Sequence, residues 1–230
     1  MINAESISKL LESDIFRGVS AASLERFFRK TQTVNRKYPA EKLLMLRGEV
    51  VDSLMILVEG RLQAQIQGKG GKLLRIEVLK APQAVAAGVL FSQDNRLPVN
   101  LFSLESSKII FIPKKAVLEL CAAEQVFMLN YFTDMGDKIS ILAEKIKMYQ
   151  FNTIRQKISG YIIGLSGAMK LKSVKLVYSK EVLAEIMGVT RPSLSRELSN
   201  LSASGIIKVS GKTIDILDRP ALESLLSEEE

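Results

Sequence analysis

Two arginines five residues apart, Arg191 and Arg196, stand among hydroxyl side chains: Thr190, Ser193, Ser195 and Ser199. A guanidinium is a planar fork of donors that matches the acceptor edge of guanine, while hydroxyls and helix-end N–H groups hold phosphate. The chemistry on offer is recognition of a polyanion. Lys208 and Lys212 follow, flanking a Ser210-Gly211 turn, and Lys180 lies just upstream; all three suit phosphate contact. From Asn152 to Ile214 ten Lys or Arg stand against three acids, a surplus as large as the formal +7 of all 230 residues. With a pI near 9.4, this points to an acidic partner.

The surrounding pattern predicts how these groups are held. Ser179 is a helix N-cap, Glu181 suits the first turn, and Val182, Leu183 and Ile186 share one face. Gly188 breaks that helix, and Val189 tucks under the turn. Thr190 caps a second helix with Pro192 in its first turn, where the missing N–H does no harm. Leu194, Leu198 and Leu201 form its buried stripe, and Gly205 ends it. Pro192, Arg196 and Ser199 then point away from the leucines, with Ser193 and Ser195 beside them; Arg191 at the helix start can reach either way. Ile206 to Ile216 alternates around the Ser-Gly turn as a hairpin. Helix, turn, helix and hairpin is a shape that enters the DNA major groove.

The inventory closes other routes. There is no His, which removes a Ser-His-Asp triad and His-ligated zinc. The single Cys121 sits in an apolar stretch and allows no intrachain disulfide; it reads as a small buried hydrophobe. Gly164-Leu165-Ser166-Gly167 lacks the last glycine of a nucleophile elbow and reads as a helix end. The Gly68–Gly71 segment lacks P-loop spacing and reads as a hairpin turn. No catalytic residue, no metal site and no cofactor is expected. A haem would need Met, Tyr, Lys, Cys121 or the N-terminus as its axial ligand.

In chain order, residues 1–37 read as short helices, with Leu10, Leu11, Ile15 and Phe16 packing first and Ser20 capping an amphipathic helix through Phe28. Residues 38–113 hold short strands (43–46, 53–58, 61–66, 73–79, 100–104 and 108–112) punctuated by Gly48, Gly60 and the Gly68–Gly71 turn, which suggests a β-sandwich or barrel. In residues 114–150, Met128, Phe132, Met135, Ile139, Leu142, Ile146 and Tyr149 recur with 4-3 spacing, an a/d seam suited to self-pairing. Thr153 to Leu165 is a helix, Val174 to Tyr178 is strand-like, a hinge is expected near Gln150-Phe151-Asn152, and Glu228–Glu230 reads as a disordered tail. No apolar run reaches the ~20 residues of a membrane span. The start lacks a signal-peptide layout, so a cytoplasmic protein is expected.

These stretches resemble the Crp/Fnr family of bacterial transcription regulators. The resemblance is carried by Glu185-Ile186-Met187-Gly188-Val189-Thr190-Arg191, Arg196, Gly205-Ile206-Ile207 and Ser210-Gly211-Lys212-Thr213-Ile214. In the first half it is carried by Lys37-Tyr38-Pro39, Arg47-Gly48-Glu49, Ile56-Leu57-Val58-Glu59-Gly60, Leu90-Phe91 and Ile112-Pro113. It implies an α+β chain: a cyclic-nucleotide-binding-like β-roll with N-terminal helices (1–113), a long dimerisation helix (114–150) and a winged helix-turn-helix (151–230). Arg191 and Arg196 fall on base- or phosphate-contacting positions. Pro192 departs from the usual Glu, an acceptor for cytosine.

The effector loop departs further. Where the family has Gly-Asp-x-x-Gly-Glu followed by Arg and a hydroxyl residue, this chain has Pro82 to Ala87 and then Leu97-Pro98. Ala87 replaces the ribose-binding Glu, and Arg96 is one place off the phosphate-binding Arg. A buried phosphate needs a charge partner, so cyclic AMP is not expected. A pocket formed by Ala87, Val89, Arg96, Leu97, Phe132 and Met135 suits an unknown apolar effector, a haem or no ligand. The implied function is a homodimeric, sequence-specific regulator on double-stranded DNA with a near-palindromic operator, with RNA polymerase as a candidate further partner. The alternative is a small-molecule sensor module whose output is a protein contact.

Overall fold

Alternation of apolar and polar residues decides most of the first half of the chain. In the computed structural model, which describes residues 4–67 and 73–227, Met1–Asp137 and Lys138–Glu230 are two compact units, each with its own core. The expected Gly68–Gly71 turn and the Glu228–Glu230 tail lie outside the described residues.

The first unit opens with α1 (Ala4–Leu11), a 3-10 turn (Asp14–Phe16) and α2 (Ala21–Lys30). Leu10, Ile15 and Phe16 are buried. Ser20 precedes α2, but its side chain makes no capping bond. Eight strands follow: β1 (Val34–Tyr38), β2 (Leu43–Met45), β3 (Ser53–Glu59), β4 (Arg61–Gln67), β5 (Leu73–Lys80), β6 (Gln83–Val85), β7 (Asn100–Ser103) and β8 (Ser107–Pro113). They form two antiparallel four-stranded sheets, β1-β8-β3-β6 and β2-β7-β4-β5. The β3–β8 register sets Leu54 opposite Ile112 and Ile56 opposite Ile110, all fully buried. Burying each such side chain contributes about 1.5–3 kcal/mol. Gly60 turns β3 into β4 at φ +89°, and a Cβ there would lie 2.6 Å from the Ser106 carbonyl and 2.8 Å from Ser107 Cα. Glycine is required on both counts.

Two strands depart from the sequence reading. Val34–Tyr38, whose first four residues are expected among the N-terminal helices, is the edge strand β1 paired with β8. Its Asn35-Arg36-Lys37 run is exposed and shows no apolar alternation, so only pairing reveals it. The three-residue β6 is too short to carry a period.

A short helix α3 (Ala87–Leu90), then α4 (Lys114–Ala123) and α5 (Gln125–Met148), complete the run to the second unit. The division at Asp137 falls inside α5, ahead of the break at residues 149–153. Met148 explains it: it is 1 % exposed within the second core, and Ile141 packs there as well.

The second unit continues with α6 (Ile154–Ser166), β9 (Ser173–Lys175), α7 (Lys180–Met187), α8 (Arg191–Ala203), β10 (Ile207–Ser210), β11 (Thr213–Ile216) and α9 (Arg219–Ser224). Thr153 caps α6 in a reciprocal pair with Gln156. Gly167 ends that helix, as the Gly-Leu-Ser-Gly sequence suggests. The sheet order is β10-β11-β9, so the hairpin gains a third strand. β9 is shorter than the strand-like 174–178 segment: Leu176 leaves the ladder and donates to the Lys212 carbonyl at 2.7 Å. Helix α9 is an element the sequence reading omits. Its signal is Asp218, whose carboxylate accepts from Ala221 N at 2.9 Å, followed by Pro220 inside the first turn.

Candidate nucleic-acid interface

The geometry of α7, turn and α8 follows from four local bonds. Ser179 Oγ accepts from Val182 N at 3.3 Å and starts α7. Gly188 is left-handed (φ +68°), which lets its own N–H and that of Val189 close onto the Glu185 and Ala184 carbonyls at 3.1 and 2.9 Å. Thr190 Oγ1 then accepts from Ser193 N at 3.2 Å and starts α8, with Pro192 as its second residue. Leu194, Leu198 and Leu201 are buried, which fixes the rotation of α8.

That rotation leaves Pro192, Arg196 and Ser199 exposed, with Ser193 and Ser195 half-buried beside them. Arg196 has no hydrogen bond or ion pair among the described residues. Ser199 Oγ donates back to the Ser195 carbonyl at 3.0 Å. Thr190 Oγ1 and Ser193 Oγ lie 2.8 Å apart at the N-terminal end of α8, where hydroxyls and the positive helix end meet. Arg191 turns back to α7: its Nη1 is 2.8 Å from Glu181 Oε1. In the hairpin, Lys212 lies at the exposed turn, while Lys208 is exposed on β10 opposite Asp215. Lys180 is half-buried at the start of α7.

Not every cation of the basic span faces outward unpaired. Lys157 Nζ donates to the Met187 carbonyl at 2.8 Å, closing the end of α7. Arg155 on α6 bonds Glu197 on α8 at 2.7 Å, and Asn200 donates to the same carboxylate at 3.0 Å. Burial opposes ionisation of Glu197, but these two donors and the nearby Arg155 charge outweigh it and hold its pKa below the ordinary value. Glu181 and Glu197 are the residues whose role the sequence does not disclose. By spacing, Glu181 is only a charge at a helix start. Glu197 lies 42 positions from Arg155, so no local spacing joins them.

The first unit places the expected effector residues unevenly. Ala87 and Leu97 are buried, Val89 and Met135 are half-buried, Arg96 is exposed, and Phe132 on α5 is 60 % exposed in the single chain. Backbone bonds from Val51 N to Asn95 O and from Leu97 N to Glu49 O, both 2.8 Å, set an alternation that sends Leu97 in and Arg96 out. Arg96 Nη1 donates instead to the Gly48 carbonyl at 2.8 Å, and its Nε is 3.6 Å from Asp94. A one-residue slip of the loop, which would carry Arg96 to the phosphate-binding position, is therefore opposed by the register. Ala86, in front of α3, is left-handed (φ +52°) without being glycine. Cys121 is half-buried against the first core, and burial raises its thiol pKa.

Along α5 the seam is open in the single chain. Phe132, Ile139, Leu142 and Ile146 are all more than half exposed, as is Tyr149 just past the helix end; Met128 and Met135 are half-buried. Among the described residues, no helix is long and apolar enough to cross a membrane.

Two family models match these same units. That of the cyclic nucleotide-binding domain covers residues 35–124, and that of the Crp-like helix-turn-helix domain covers residues 156–225. The cAMP-activated global transcriptional regulator of Salmonella typhimurium is 19 % identical over 182 residues, 77 % of this chain and 87 % of that protein. Its counterpart in Haemophilus influenzae is 18 % identical over 182 residues, 77 % and 81 % of the two chains. Among solved structures, the Thermus thermophilus catabolite activator protein aligns with a TM-score of 0.53 at 15 % identity, covering 93 % of this chain and 98 % of its own. DNR from Pseudomonas aeruginosa aligns at 0.50 and 18 % identity, covering 98 % and 99 %. The structures speak for the fold. The two domain matches together span more than half of the chain, in the order sensor then helix-turn-helix, and the chain belongs to the Crp/Fnr family of DNA-binding transcription regulators.

Proposed function

We propose that this protein is a homodimeric, sequence-specific DNA reader of the cytoplasm whose β-roll does not take a cyclic nucleotide. The observation that carries the reading is the outer face of α8. It offers Arg196, which has no partner among the described residues, Thr190 and Ser193 at a helix N-terminus, and Lys212 on the adjacent hairpin turn. Arg196 and Arg191 suit base edges. Thr190, Ser193, Ser195, Ser199, Lys180, Lys208 and Lys212 suit phosphates.

A second copy of the chain is the occupant we assign to the α5 seam. Its 4-3 spacing is that of a two-stranded coil, and exposed Ile139, Leu142 and Ile146 are costly to leave in water. Pairing would set two α8 helices about 34 Å apart and call for a near-palindromic operator. RNA polymerase is the partner such a protein would meet at a promoter.

The Salmonella and Haemophilus relatives are cAMP-activated. In this chain the residues at the ribose-binding Glu and phosphate-binding Arg positions are Ala87 and Leu97, and Arg96 is spent outside on Gly48. The input to the roll is therefore something other than a cyclic phosphate. It acts by shifting the population of the DNA-competent dimer.

The test is selection from random duplex DNA with the purified protein, followed by binding at several salt concentrations. A palindromic consensus with affinity falling steeply as salt rises is expected, and added cyclic AMP leaves it unchanged. Enrichment of no sequence, with a partner protein captured instead, would favour a sensor whose output is a protein contact.

A further inference from the structure

The pair between Arg191 and Glu181 sets what Arg191 can do on DNA. Nη1 lies 2.8 Å from Glu181 Oε1, and both side chains are more than half exposed, so the pair adds little to folding. Its consequence is geometric. A guanidinium carries five N–H donors in one plane. A carboxylate beside Nη1 occupies that end of the guanidinium and leaves Nη2 and Nε for a second, side-by-side pair of acceptors. Guanine, with N7 and O6 together on its major-groove edge, is the base that presents such a pair.

Helix α8 supplies no carboxylate of its own for this work. Its second residue is Pro192, and its one acid, Glu197, is held by Arg155 and Asn200. Among the described residues, Arg196 has no restraint of the kind. Glu181 comes from the first turn of α7, ten positions before Arg191, and reaches the start of α8 because Gly188 folds the two helices together.

We propose that Glu181 is a positioning residue for base recognition. From the neighbouring helix it orients Arg191 to discriminate guanine. It also places a negative charge at the interface, which lowers binding to DNA of arbitrary sequence. The proposal rests on the DNA-binding reading above.

The experiment compares the full-length wild type, Arg191→Ala and Glu181→Gln by duplex selection, by competition binding against random duplex, and by thermal melting. Arg191→Ala marks the operator position that Arg191 reads. Glu181→Gln is expected to cut the guanine preference at that position about tenfold, to tighten binding to random duplex, and to lower the melting temperature by no more than a few degrees, through the lost helix-end charge. An unchanged guanine preference in Glu181→Gln overturns the proposal, whether or not random-duplex affinity rises. If the wild type enriches an operator but Arg191→Ala alters no position, the DNA reading stands and this proposal falls. If the wild type enriches nothing, both fall.

Discussion

The Tyr131 hydroxyl donates to the Ala87 carbonyl at 2.7 Å and ties α5 to the short helix α3. Tyr131 is 2 % exposed, with Phe127 and Phe91 rings 5.9 and 6.0 Å away. Burial first, then the neighbouring Cys121 and Asp134, push its phenol pKa well above the ordinary value, so it stays a donor at any physiological pH. Tyr131→Phe keeps the ring and strands a buried carbonyl. The first unit should lose about 1–2 kcal/mol in denaturant unfolding. Tyr131→Ala adds a cavity and should cost about 3–5 kcal/mol.

Backbone conformation gives a pair of opposite predictions. Ala86 is left-handed at φ +52°, a conformation that costs a non-glycine residue about 1–2 kcal/mol. Ala86→Gly removes that strain but adds unfolded-chain entropy, so a net gain of about 0.5 kcal/mol is expected. Gly60→Ala meets both a positive φ and the Ser106–Ser107 backbone, and should cost about 3 kcal/mol or more. The two midpoints should move in opposite directions on the same unfolding curve.

Acid should loosen α8 from α6. The Glu197 carboxyl has a lower pKa folded than its ordinary 4.5, because Arg155 and Asn200 outweigh the opposing effect of burial. A depressed carboxylate pKa stabilises the fold above the ordinary value, and that contribution is lost as pH falls through the folded value. The second unit should therefore lose roughly 1 kcal/mol below about pH 4.5. Glu197→Gln should be less stable at neutral pH and should show a flatter acid limb. An acid limb identical to that of the wild type would show that the pair contributes nothing.

The second unit is more legible in the sequence than the first, for physical reasons. Ser179, Gly188, Thr190 and Gly205 punctuate two short helices, and each acts within four residues, so local chemistry suffices. Leu194, Leu198 and Leu201 declare their buried face by spacing alone. Strand β1 escapes a sequence reading because its partner, β8, lies more than 60 residues away, and its exposed edge needs no apolar alternation. The outward turn of Arg96 depends on a bridge to Val50 that no spacing records. The same holds for Glu181 with Arg191 and for Glu197 with Arg155: the sequence offers the charges, and only the turn at Gly188 and the packing of α6 choose their partners.

Arg196 and Lys212 should separate base reading from charge. Arg196 projects from the outer face of α8, whereas Lys212 lies at the hairpin turn. Arg196→Ala should cost the selected operator about 1–3 kcal/mol and relax the preference at one position in each half-site. Lys212→Ala should weaken selected and random duplexes alike. It should also make log affinity fall less steeply with log salt, by about one unit of slope for each phosphate no longer neutralised. Equal effects of both variants on operator and random DNA would place base reading elsewhere.

The α5 seam offers a prediction that does not depend on DNA. Ile139 and Leu142 are 67 % and 58 % exposed in the single chain, so a charge placed there is harmless to the monomer. In a paired seam the same charge is buried against its own copy, and like charges so placed cost several kcal/mol. Ile139→Glu with Leu142→Glu should raise the dimer dissociation constant at least about 100-fold in sedimentation equilibrium, with circular dichroism and melting of the monomer retained. Operator binding should weaken in step, because each α8 then meets its half-site alone. A variant that stays dimeric at micromolar concentration would move the interface off this face of α5.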